Sequence, residues 1–84
     1  MPLSPVSPTV AERILAIVTE RGPGKTVCPS EIARSLAGAG GDWRSRMGEV
    51  HRAVDDLLDA GKVGLSWKGE AITRRQGPYR IGGA

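Results

Sequence analysis

The stretch ERGPGKTVCPSE, Glu20 to Glu31, gathers most of the reactive side-chain types in this chain: Lys25, Thr26, Cys28 and Ser30. Gly24-Lys25-Thr26 matches the end of the phosphate-binding pattern G-x-x-x-x-G-K-[ST], whose backbone N–H groups cradle phosphate oxygens. The place of its first glycine is taken by Thr19, inside a segment with helical apolar spacing, whereas such a loop follows a buried strand. Pro23 also removes an N–H that the cradle needs. No nucleotide partner is expected. Cys28 precedes a helix whose dipole can lower a thiol's pKa, but no base stands beside it in sequence, so it reads as a small buried residue ahead of a redox-sensing thiol. Ser30 has no triad partners. The single Cys28 and single His51 cannot complete a four-ligand zinc site, nor can one cysteine build an internal disulfide framework. No paired carboxylates or nucleophile–base set appears. The expectation is a protein that is not an enzyme and uses no metal or cofactor.

The remaining chemistry is cationic. Formal net charge is +3 and the sequence pI is about 9.6, which permits a polyanionic partner without requiring one. The candidate nucleic-acid-binding residues are Arg34, Arg44, Arg46, His51, Arg52, Lys68, Arg74 and Arg75. Arginine's planar fork suits guanine edges and phosphates alike. Trp43 and Trp67 could stack on bases. Both fall in register with apolar stripes in a chain without Phe, so both are expected in the core. One face argues against DNA: Glu49, Asp55, Asp56 and Asp59 share the solvent side of a helix with Arg52, and such a face repels phosphate. A double-stranded DNA partner is therefore weighed against a protein partner that meets this acidic face.

The elements that must position these residues follow from period and punctuation. Met1 to Pro8, rich in proline and serine, reads as a disordered tail. Thr9 and Glu12 fit a capping box, and Val10, Ile14, Leu15, Ile17 and Val18 give a first helix that Gly22-Pro23-Gly24 stops. Thr26-Val27 fits a very short strand. Pro29 and Glu31 open a second helix with Ile32, Ala33 and Leu36 inside and Gly38 at its end. Asp42 is an N-cap candidate for a third helix from about Trp43 to Ala60, with Met47, Val50, Val54, Leu57 and Leu58 on its apolar side. Gly48 in its interior raises an alternative: a turn over Asp42 to Arg46, then the true helix. After Gly61 the period becomes that of a strand, Val63 to Trp67, and Lys68-Gly69-Glu70 is turn chemistry. Tyr79 to Ile81 can return antiparallel to it.

Helix, short strand, short helix, longer helix and a hairpin with a basic tip is the element order of an α+β winged helix-turn-helix with a small antiparallel β-hairpin wing. One domain over residues 9–81 suits a chain of this length, with 82–84 as a C-terminal tail. The N-terminus has neither the basic nor the apolar region of a secretory signal, and no long apolar run occurs, so the expected setting is cytoplasmic with no membrane partner. The motifs GPGKTVCPSEIARSL, DWRSRM, AGKV, KG and GPYRI resemble those of a family of short bacterial domains of unknown function. The likeness runs from about Val10 to Ile81, and it implies a winged-helix-like fold and no particular activity. Arg46 stands where that pattern carries an apolar residue, and His51 where it carries arginine.

Overall fold

The structure, a computed structural model, describes residues 9–75 and 77–83. The segment read as a disordered tail, residues 1–8, lies outside the described residues. Three helices and a four-stranded antiparallel sheet follow in the order α1 (Val10–Arg21), β1 (Thr26–Val27), α2 (Pro29–Ala37), a 3-10 turn (Arg44–Arg46), α3 (Met47–Asp59), β2 (Val63–Trp67), β3 (Glu70–Ile72) and β4 (Arg80–Gly83).

Local chemistry accounts for the helix boundaries. The Glu12 amide donates to Thr9 Oγ1 at 3.1 Å and the Thr9 amide donates to Glu12 Oε1 at 2.8 Å, which closes the capping box at the start of α1. Helix α3 ends in a Schellman motif. Lys62 N–H reaches the Leu57 carbonyl at 2.9 Å and Gly61 N–H reaches that of Leu58 at 3.0 Å, a path that requires Gly61 at φ 72°. The start of α3 differs from the expectation of an Asp42 cap. The helix begins at Met47, and the preceding residues form the 3-10 turn, so the alternative of a turn before the true helix describes the chain. The Ser45 hydroxyl bonds the Asp42 carbonyl there at 2.9 Å. Just upstream, Gly41 lies so close to the end of α2 that a Cβ would stand 2.3 Å from the Ala37 carbonyl oxygen. Only glycine fits that approach.

The sheet order is β1-β4-β2-β3. Strand β4 lies between β1 and β2, with Val27 opposite Ile81 and Leu65 also opposite Ile81. Three sequence expectations change here. The turn is only Lys68-Gly69, both with positive φ (54° and 83°), and Glu70 already belongs to β3. Lys68 thus occupies a left-handed conformation that favours Gly or Asn in a two-residue hairpin. Glu70 to Ile72 forms a strand that its three-residue length and the polar Thr73-Arg74-Arg75 after it concealed, because at a sheet edge backbone pairing suffices without a long apolar stripe. The supposed tail supplies Gly82 and Gly83 to β4; glycine's weak strand propensity concealed them, and at Gly82 a Cβ would stand only 3.4 Å from Lys25 O and Thr26 Cγ2.

The core joins Ile14 and Val18 of α1, Ile32 and Ala33 of α2, Val50, Val54 and Leu57 of α3, and Val27, Val63, Leu65, Tyr79 and Ile81. Ala33 is fully buried, and its small side chain lets the helices approach. Trp43 packs partly against this core, but Trp67 is 39 % exposed and the expectation of a core tryptophan fails. Alternation along β2 does direct Val63 and Leu65 inward. Trp67 shares their parity yet lies at the hairpin end, beyond the core residues that bury the other two.

Candidate interaction site

The predicted cations do not form one continuous face. Arg34, near the end of α2, and Arg44, at the start of the 3-10 turn, both stack on the Trp43 ring, with guanidinium carbons 4.6 and 4.5 Å from its centroid. Arg46 is paired with Glu49 one turn later. Arg75 makes a two-pronged pair with Asp55, Nε to Oδ1 at 2.7 Å and Nη2 to Oδ2 at 2.8 Å. That pair holds the Asp55 carboxyl below its ordinary range, chiefly through the hydrogen bonds from Arg75. Arg74 shares a surface depression with Asp55 and Asp59. Lys68 is at the hairpin tip, and Arg52 is exposed on α3. Arg34, Arg44, Arg52, Lys68 and Arg74 have no ion-pair partner among the described residues.

His51 looks inward. Its Nδ1 lies 2.7 Å from the Tyr79 hydroxyl, and burial, followed by the nearby Arg75 charge, lowers the imidazole pKa below its ordinary value. Its neutral form is favoured, which is the form that hydrogen-bonds a phenol without a charge to solvate. Burial pushes the Tyr79 phenol up to about 12, so this hydroxyl stays protonated.

His51 also borders a groove of about 460 Å³. Cys28, Pro29 and Ser30 enter it from the start of α2, Met47 and His51 from the first turns of α3, and Trp67 from the end of β2. Gly77, Pro78, Tyr79 and Arg80 complete the wall. Met47 and His51 stand four positions apart, so one helical face presents both. No Asp or Glu is among the described residues that line the groove, and its size and mainly apolar wall with a few polar groups fall in the range of ligand clefts. Cys28 is only half-buried there, contrary to the reading of a small buried residue. Its Sγ is 2.8 Å from Ser30 Oγ. Burial pushes the thiol up, but the Ser30 hydroxyl, the Glu31 and Ser30 amides and the Arg80 charge together hold it below its ordinary value. A local signal for the groove did exist in the sequence: Trp67 directly precedes the Lys68-Gly69 turn, and a large ring at a hairpin end outruns the core that could cover it.

Of the Gly24-Lys25-Thr26 motif, Gly24 and Lys25 lie in the turn that leads from α1 and Thr26 is the first residue of β1, so the strand follows the glycine and does not precede it. No group of three or more His, Cys, Asp or Glu side chains among the described residues is placed to hold a metal ion. No helix among them is long and apolar enough to cross a membrane. No curated protein matches the chain significantly. A family model does match, over residues 7–84, so that it takes in every described element from α1 to β4. The chain thus belongs to the family described as protein of unknown function, DUF3253.

Proposed function

We propose that this chain is a non-enzymatic module of winged-helix type that binds a protein partner. The fold reading is supported by α2 and α3 standing as a helix pair before the β2–β3 hairpin, with β4 inserted between β1 and β2. The choice of partner rests on one observation: Arg46 and Arg75, two of the cations that would have to neutralise phosphates, are neutralised by Glu49 and Asp55. On a duplex those carboxylates would face the backbone and repel it. The alternative of DNA binding draws on Arg34, Arg44, Arg52, Lys68 and Arg74, which keep their charges unpaired among the described residues.

Salt-dependent titration of a random-sequence duplex decides between the two. Phosphate contacts give a slope of log K against log salt of about −0.9 each, so four or five contacts from among Arg44, Arg46, Lys68, Arg74 and Arg75 predict a slope near −4. The protein-partner reading expects no measurable binding at about 50 mM salt, where electrostatic binding is strong. Binding with a slope near −4, made shallower by about two when Arg74 and Arg75 are replaced with alanine, would overturn it.

A further inference from the structure

Helical spacing joins the groove to the arginines stacked on Trp43. On α2, Arg34 stands one turn after Ser30 and therefore continues the face that carries a groove-lining residue. Arg44 opens the 3-10 turn three positions before Met47, another lining residue and the first residue of α3. The two guanidiniums thus converge on Trp43 about one helical turn beyond the lining residues Ser30 and Met47 at the rim of the apolar groove. The indole holds them by its electron-rich face, which fixes their position without neutralising them and leaves N–H donors available. The carboxylates nearest in sequence do not compensate: Glu31 is held by Arg21 and Glu49 by Arg46, and Asp42, directly before Trp43, makes no ion pair with either arginine among the described residues. Among the described residues that line the groove, Arg80 alone carries a formal charge.

From this juxtaposition we infer that the occupant is an acidic–apolar peptide segment: a bulky apolar side chain seats between Met47, Trp67 and Tyr79, and neighbouring carboxylates reach Arg34 and Arg44. The inference rests on the protein-partner reading and specifies what such a partner carries. The groove supplies the apolar contact that fixes the segment, and the stacked arginines supply the charge complementarity that selects it. A basic segment is rejected at the same rim by like charge.

The test is selection from a short random-peptide display library on the full chain, followed by titration of the enriched peptides. Enriched sequences should pair a large apolar residue with Asp or Glu. The double variant Arg34→Gln/Arg44→Gln should weaken them about fivefold to tenfold, the effect of losing two exposed ion pairs. Arg74→Gln, beside the acidic depression, should leave the affinity unchanged. Enriched peptides that are apolar but neutral or basic, and that lose affinity with Trp67→Ala, would overturn the acidic specification while upholding the groove. Failure to enrich any peptide, or enrichment indifferent to Trp67→Ala, would overturn both. Tight duplex binding lost in the Arg34→Gln/Arg44→Gln variant would assign the stacked arginines to nucleic acid instead.

Discussion

The two flanks of His51 solve the problem of surface charge in opposite ways. Toward the second half of α3, Arg75 is tied to Asp55, and Arg74 lies in a depression shared with Asp55 and Asp59. Toward the start of α3, the surface is an apolar groove with no carboxylate among its described lining residues, and the arginines about one turn beyond it rest on an indole. The first flank sets its arginines beside carboxylates. The second leaves apolar area and cationic donors unmatched, and a protein surface gains from a partner only where something is left unmatched. The charge count alone hides this division, because the formal +3 sums cations and carboxylates over the whole chain without regard to their place.

The largest expected effect comes from removing the residue that separates the flanks. Tyr79 is 4 % exposed, packs in the core, lines the groove and accepts or donates the hydrogen bond of His51. Tyr79→Ala should cost about 3 to 5 kcal/mol in denaturant unfolding, the range for truncating a buried aromatic, and should abolish peptide binding as the groove wall collapses. Tyr79→Phe keeps the wall and removes the hydroxyl, so it should cost only about 1 kcal/mol and leave binding close to the original. Equal losses in the two variants would show that the ring does not divide the flanks.

A smaller effect should come from taking apart the matched flank. The Asp55 and Arg75 side chains are 46 % and 33 % exposed, and a pair so open to solvent contributes less than about 1 kcal/mol. In a double-mutant cycle of Asp55→Asn and Arg75→Gln the coupling should stay under that value, with peptide affinity unchanged. Loss of peptide affinity in either single variant would mean that the groove extends across His51, and the comparison would fail.

Much of this arrangement was legible in the sequence. The capping box at Thr9, the alanine at Ala33 and the change of period after Gly61 each rest on short-range rules, and the corresponding elements form as expected. The ion pair between Asp55 and Arg75 was not legible, because the partners are twenty positions apart and the chain folds back through β2 and β3 before they meet. Helical spacing reaches only neighbours on the same helix, such as Arg52, which stands three positions before Asp55 and four before Asp56. Trp67 failed for a related reason: parity along a strand says which face a side chain takes, and burial depends on whether another element covers that end of the face. The groove is assembled from α2, α3, β2 and the approach to β4, so beyond the local hint of Trp67 at the hairpin turn it takes shape only where those segments converge.

The finest discrimination between the flanks lies in the titration of His51, which both of them touch. Burial is the main reason that its pKa is depressed, and the two members of the neighbouring ion pair then act in opposite directions: Arg75 lowers it and Asp55 raises it. Removing Arg75 alone, as Arg75→Gln, should therefore raise the His51 pKa, although burial keeps it below the ordinary value of 6.5. Asp55→Asn should move it further down, because the arginine charge is then uncompensated. The sign for stability follows from linkage. With a folded-state pKa below the unfolded one, the unfolded chain takes up the proton first, so the stability contribution is full above about pH 6.5 and is lost as pH falls toward and through the folded pKa. Arg75→Gln should narrow that window and Asp55→Asn should widen it. Following the single imidazole by NMR across the acid range, alongside unfolding measured at the same pH values, checks both directions. If the two variants shifted His51 the same way, its titration would report the groove alone and not the boundary between a matched and an unmatched surface.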